Sequence, residues 1–416
     1  MITVFSNISS IITSDTQGRN FKAGNEMNDI GIIRNSRIVV ENGIIKDIVP
    51  NGSSIQNFDT EIDLSGKIIL PGFIECHTHT AFAGSRAEEF RQKLSGTDYE
   101  TIAQKGGGII TTVKSVRESS FEDLIQIIKP RIAHFISQGI TSLEIKSGYG
   151  LSFYDEIKLL QVIRELNKIA QIDIIPTFLG AHTLPPEYKN EPGKYIEIIT
   201  NELLPFISKN KLAVFCDAFC ENTAFSAADI DNIFERSSEL GLKLKLHTEQ
   251  FNSIGGIETA LKFNVTSADH LEVINDLDIE RISKAGIPAV LLPGVSFFLN
   301  HKFAPARKLI DAGAVVAIST DYNPGSSNIS SLPLVMSIAA LKMQMSVEEV
   351  ISAVTINAAK ALDISHEAGS IEIGKKADFA VFNTDNYTDI IYNIGQNLNY
   401  MTVKSGNVIY QNPAIC

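Results

Sequence analysis

Nowhere does the sequence run apolar for the roughly 18 residues that a membrane span requires. Its start, "MITVFSNISSIITSD", carries no basic leader and no cleavage-site pattern. Neither a membrane partner nor export is expected, and a cytoplasmic setting is. Cysteine is sparse: Cys76, Cys216, Cys220 and Cys416 make no disulfide framework. Cys216 and Cys220 are spaced CxxxC, but within the strand-like run "LAVFCDAFC" they read as buried side chains rather than ligands. Long acidic or basic blocks are missing too. A net charge of −12 spread along the chain argues against a nucleic-acid partner and obliges any anionic substrate to find a locally placed cation. The glycine-rich stretch "QKGGGIITTVKSV", residues 104–116, lacks the GxxxxGK pattern of a phosphate cradle; a mobile loop covering a substrate is the expectation there.

What is present is ordinary in bulk. Hydrophobic residues make up 44% and charged residues 20%, and 416 residues suffice for one large domain with a smaller one. Residues 1–66 read as short strands broken by turns, with Asn-Gly pairs at 42–43 and 51–52 suiting hairpins. From residue 67 the pattern changes to β-branched runs alternating with amphipathic segments such as "FEDLIQIIKPRIAHFISQ" and "FYDEIKLLQVIRELNKIA". Eight runs can be counted: "KIILPGFIECHTH", "GITSLEIKSG", "IDIIPTFLGAH", "LAVFCDAFCEN", "GLKLKLHTEQ", "VTSADHLE", "IPAVLLPG" and "VVAISTDYN". The fold predicted is α/β: a (β/α)8 TIM-type barrel over 67–361. A doubly wound sheet is the alternative. The tail "TINAAKALDISHEAGSIEIGKKADFAVFN" returns to strands, so 362–416 is expected to join 1–66 in a small β-sandwich domain.

The ionisable residues fall in a pattern. His77 and His79 end the first run, one residue apart, where an extended strand points both to one side. His182 ends the third run, His247 the fifth, His270 the sixth and Asp321 the eighth. Strand C-terminal ends are where barrels of this type build active sites, and five of the eight histidines lie there. Any one of them alone reads more simply as structural, and Asp321 before "YNPG" could merely start a turn. Together, three imidazoles and a carboxylate would make a shell for a zinc-like ion with a position left for water.

"PGFIECHTHTAFAGSRAEEF", "EIKSGYGL", "TFLGAHTLPPEY", "ADHLE" and "STDYNPGSS" resemble the imidazolonepropionase family of the amidohydrolase superfamily, and "GSIEIGKKADFAVF" is typical of the wider superfamily. The resemblance implies hydrolysis of the cyclic amide of 4-imidazolone-5-propanoate to N-formimidoyl-L-glutamate, a step of histidine degradation, by a metal-activated hydroxide. It implies one zinc or iron ion per subunit on His77, His79, His247 and Asp321, and a homodimer. A two-metal site of the kind bridged by a fourth-strand lysine is not expected, because that strand has none and Lys146 ends the second.

Asp321 is expected to move the proton of the attacking water, and His270 to hold the hydroxide or the developing oxyanion. Arg86 is the candidate grip for the propionate, although a salt bridge with Glu88 or Glu89 would equally occupy it. Tyr149, His182, Asn323, Gly325 and Ser326 match family substrate contacts. The run His247-Thr248-Glu249-Gln250 departs from the HxxE of many relatives that act on rings. Gln250 can hydrogen-bond a ring but cannot shuttle a proton, and Glu249 is expected to point away. The competing readings are another cyclic amidohydrolase, an aromatic deaminase and, from a different class, a catalytically dead metal-binding scaffold. His134, His301 and His366 are assigned no role.

Overall fold

The structure, a computed structural model, describes residues 1–95 and 107–413. Cys416 and residues 104–106 of the glycine-rich stretch lie outside the described residues.

The first strands are β1 (Ile2–Ile12), β2 (Ile32–Glu41), β3 (Ile44–Pro50), β4 (Thr60–Asp63) and β5 (Ile68–Pro71). Asn42 and Gly43 both take positive φ, 52° and 84°, the turn that lets β2 and β3 pair as a tight antiparallel hairpin. The second Asn-Gly pair is also a turn but makes no hairpin, because β4 runs on to pair parallel with β1. A second set is β6 (Phe73–Glu75), β7 (Ile140–Lys146), β8 (Asp173–Ala181), β9 (Phe215–Cys220), β10 (Lys243–Thr248), β11 (Ser267–His270), β12 (Ala289–Leu291) and β13 (Val316–Ile318). The chain closes with β14 (Phe379–Phe382), β15 (Asn399–Lys404) and β16 (Asn407–Gln411).

Each of the eight runs contains one strand of the second set, and these strands lie side by side in chain order, all parallel. Its two edges meet beyond β6 and β13. Asp321 N donates to His77 O at 3.1 Å, His79 N donates to Tyr322 O at 3.1 Å, and Thr78 bridges to Tyr322. Strand ends of opposite edges are thereby joined at the rim where the histidines stand.

One expected strand divides. "KIILPGFIECHTH" breaks at Gly72, where a Cβ would come 2.3 Å from Thr141 Oγ1. Ahead of it, β5 pairs with β1 and β14 in the sheet built from both chain ends; only β6 enters the barrel. That terminal sheet has the order β16-β15-β14-β5-β1-β2-β3, with β4 on β1, and encloses its own core around Phe5, Ile38, Ile69, Phe379 and Val403.

Alternation along the barrel strands sorts side chains to two sides. Leu143, Ile145, Cys216, Ala218, Leu244 and Leu246 join the large core beneath the helices, and the four-residue spacing of the cysteines is thus accounted for by burial. The intervening positions face inward. Phe215, Val290 and Ala317 pack with Ala358 and Ala359 as an apolar floor, and Glu144, Lys146, Asp217, Lys245 and Asp269 form a fully buried ionic layer. The helix Phe121–Ile136 starts from a capping box of Ser120 and Asp123. A further correction concerns the glycine-rich stretch: from Ile109 it is a regular helix, Ile109–Glu118, so a mobile loop does not extend through residue 116.

Candidate active site

At the rim, two carboxylates fix two imidazoles. His77 Nδ1 lies 2.6 Å from Asp269 Oδ2, and His247 Nδ1 lies 3.0 Å from Asp217 Oδ1. An ionised carboxylate only accepts, so each Nδ1 carries the proton and each Nε2 keeps its lone pair. His79 Nε2 stands 3.3 Å from His247 Nε2 and 3.2 Å from Asp321 Oδ1, and His77 Nε2 stands 3.4 Å from the same oxygen. His77 Nε2 and Asp321 Oδ1 are buried with no hydrogen-bond partner. Lone pairs brought together out of water repel one another unless a cation lies among them. Tetrahedral ligands at zinc–nitrogen distance sit about 3.3–3.4 Å apart. The donor set therefore fits a divalent ion.

Burial pushes His77 and His79 well below the ordinary histidine range, with the Lys146 ammonium adding to it. His247 is carried down to about 3 by burial, against the pull of Asp217. All three rings are neutral, as metal ligands must be. His270 behaves differently: burial opposes its charge, but the carboxylates of Glu272, 3.4 Å from Nδ1, and of Asp321 and Asp269 together raise it. Its ring centroid is 5.4 Å from that of His247. The oxygen atoms or nitrogens of His77, His270 and Asp321 also form a close group, so Asp321 sits between the imidazole trio and His270.

The backbone here is unusual. Asp321 (φ 49°), His270 (87°), Leu271 (70°) and Glu249 (56°) all lie in the left-handed region although none is glycine. Such conformations cluster where a site constrains its side chains.

The ionic layer lies directly beneath. Lys146 Nζ is 2.8 Å from both Asp217 and Glu144, while Lys245 Nζ reaches Cys76 O at 2.8 Å and Glu144 at 3.2 Å. Burial works against Lys146, yet Asp217, Glu144 and Asp269 hold its ammonium above the ordinary lysine range. Asp217 likewise loses to burial and gains more from His247 and Lys146, ending far below the usual carboxylate range.

Around this centre stand the other sequence candidates. His182 stacks on His79 at 5.0 Å, accompanied by Tyr149 at 5.4 Å, and its Nδ1 lies 3.0 Å from Gly148 O. Asn323 Nδ2 donates to Asp321 Oδ2 at 3.1 Å and to Ser326 Oγ at 2.9 Å, and its Oδ1 accepts from Gly325 N at 2.8 Å. Arg86 reaches the same loop: a Cβ on Gly325 would come 2.0 Å from Arg86 Nη1. Arg86 Nε also donates to Glu89 at 2.8 Å, so the ion pair and the approach to Gly325 coexist. Gln250 is buried just past β10. Glu249 is buried near Asp278, Glu221 and Glu258, and burial lifts it to about 7.

Asp217, Asp269, Glu144, Lys245 and Phe219 were not picked out by the sequence reading. Phe219 stands 5.8 Å from His247 and 6.4 Å from His270. Their signal is the alternation in "LEIK", "FCDAF", "LKLKLH" and "SADH", polar at every second residue of strands that are buried on both sides.

The profile of the Amidohydrolase family matches residues 68–409. An imidazolonepropionase of Clostridium tetani is 41% identical over 412 residues, covering 98% of each chain. One from a Geobacillus species is 43% identical over 397 residues, covering 94% of each. The chain belongs to the imidazolonepropionase family of amidohydrolases. In fold it is also similar to a zinc-bound adenosine deaminase from Xanthomonas campestris, with a TM-score of 0.72, 15% identity and coverage of 98% and 92%. At that identity the likeness concerns architecture alone. No helix among the described residues is long and apolar enough to cross a membrane.

Proposed function

We propose that this chain hydrolyses the cyclic amide of 4-imidazolone-5-propanoate, giving N-formimidoyl-L-glutamate. The observation that carries the reading is the convergence of His77, His79, His247 and Asp321 in a chain 41% identical to an imidazolonepropionase along its whole length. Those four residues would hold one zinc or iron ion. When bound there, such an ion lowers the pKa of a water ligand to about 7 and polarises the scissile carbonyl.

The protein's own groups do the rest. Asp321 takes the proton of the attacking water at a carboxylate oxygen and delivers it to the departing ring nitrogen. Asn323 holds the second Asp321 oxygen and so keeps the first one aimed inward. His270, whose Nδ1 lies 3.4 Å from Glu272, donates to the oxyanion that forms as the carbonyl carbon becomes tetrahedral. Gln250 hydrogen-bonds the ring, and Tyr149 and His182 line its pocket. The propionate is taken by the two Nη groups of Arg86, with Gly325 and Ser326 beside it. The reading includes a cytoplasmic homodimer.

The test is incubation with freshly generated imidazolone propionate, following loss of its ultraviolet absorbance alongside coupled ammonia detection. Ring opening releases no ammonia. Absorbance loss without ammonia supports the assignment; stoichiometric ammonia would overturn it in favour of a deaminase.

A further inference from the structure

Arg86 does not stand in position unaided. Its Nε donates to Glu89 Oε2 at 2.8 Å, and the side chains of the pair are only 11% and 13% exposed. The other Glu89 oxygen accepts from Gly108 N at 3.0 Å and from Thr111 Oγ1 at 3.1 Å. One carboxylate thus spans from the guanidinium to the first turn of the helix Ile109–Glu118. Gly108 enters that helix at φ 82°, so its N–H is presented by a backbone that a residue with a side chain would strain to adopt.

That helix is anchored at its other end as well. Lys158 Nζ donates to the carbonyls of Val116, Arg117 and Ser119 at 3.0, 3.2 and 3.0 Å. Arg117 donates to Gly150 O at 2.8 Å and Leu151 O at 2.9 Å, the two residues that follow Tyr149. From inside, the Glu156 carboxylate accepts from the backbone N–H groups of Gly148, Gly150 and Leu151. Glu89 therefore ties Arg86 to a strut that is fixed, at its far end, to the loop bearing Tyr149.

We infer that Glu89 is a positioning residue for substrate recognition: by holding the Nε edge of Arg86 it turns the Nη edge toward the substrate carboxylate. This rests on Arg86 being the carboxylate grip. The geometry leaves little freedom. With Nε committed to Glu89 and Nη1 pressed against Gly325, the guanidinium plane is set from two sides, and a bidentate pair with a carboxylate requires that plane to be set. Neither contact lies on the reacting atoms, so Glu89 should govern binding rather than the chemical step.

The experiment compares Glu89→Gln, Arg86→Lys and the double variant in the metal-loaded enzyme, using imidazolone propionate and the same ring with its carboxylate replaced by a carboxamide. A glutamine offers one acceptor oxygen where three donors converge, so the fork loses its guide. Expected for Glu89→Gln is a rise in KM on the order of tenfold, with kcat within about twofold of the parent, the loss associated with one charge-assisted hydrogen bond. The preference for acid over carboxamide should shrink in step, and Arg86→Lys should mask any further effect of Glu89→Gln. Unchanged KM in Glu89→Gln while Arg86→Lys raises it overturns the positioning role; so does full additivity of the two. Unchanged KM in Arg86→Lys instead overturns the grip itself, and the inference with it. Should Glu89→Gln fail to fold, Thr111→Val, which removes one of the three bonds, decides: a KM rise of about twofold to threefold supports the role, and an unchanged KM overturns it.

Discussion

Asp217 holds His247 from below, Oδ1 at 3.0 Å from the ring Nδ1, while its other oxygen accepts from Lys146 at 2.8 Å. Through this one carboxylate the ionic layer of the barrel sets the tautomer of a rim histidine. Asp269 repeats the arrangement for His77, with Lys245 Nζ 3.6 Å behind it. Replacing Asp217 by Asn removes the ionised acceptor and leaves Lys146 short of a counter-charge. Metal affinity should fall about 10- to 100-fold, as for other partners of ligating imidazoles. Chelator competition checks this. Breaking the buried pair should also cost about 3–5 kcal/mol, visible as a lower denaturation midpoint.

In the proposed function His270 stands off the cation. His270→Ala should retain metal at the parental level and lose about 100-fold or more in kcat, the scale of a lost oxyanion donor. Metal content and steady-state rates on one preparation test it. A variant with full metal and full rate would remove the proposed role.

Gly325 is the position whose lack of a side chain the Arg86 guanidinium exploits. In Gly325→Ala the new methyl would begin 2.0 Å from Nη1 and force the guanidinium aside. KM should rise on the order of tenfold with kcat little changed, since only binding is disturbed. Arg86→Lys, which keeps the charge but not the fork, should raise KM by at least as much.

Glu75 is buried beside Ser319 and Thr320, and burial pushes its carboxyl up to about 7. Its folded pKa lies above its unfolded value, so the folded chain binds the extra proton and stability falls as pH rises through that interval. In metal-free protein, Glu75→Gln removes this contribution, so the Tm of the variant relative to the parent should rise as pH goes from about 5 to about 7. An identical pH dependence in the two proteins would contradict the assignment.

The barrel and its rim could be read from the chain because alternation and strand-end polarity are local signals. His77, His79, His247, His270 and Asp321 each stand at or just past a strand end, and the (β/α) pattern alone brings such ends together. The ionic layer was hidden for the opposite reason. Lys245 and Asp269 lie mid-strand, and whether such a residue faces solvent or the barrel axis depends on closure, which no window of sequence contains. The parting at Gly72 was hidden too, since both halves of "KIILPGFIECHTH" are equally strand-like and only pairing with β1 and β14 separates them. In "QKGGGIITTVKSV" the glycines drew attention away from a helical pattern that begins one residue after them.

In the proposed function His77, His79, His247 and Asp321 hold one cation on which turnover depends. Metal content and hydrolysis of imidazolone propionate, measured on the same sample before chelation, after chelation and after metal return, test it most directly. Expected are one equivalent per chain, activity that leaves and returns with it, and neither in His247→Ala. Two tightly held equivalents, or full turnover from metal-free protein, would contradict it.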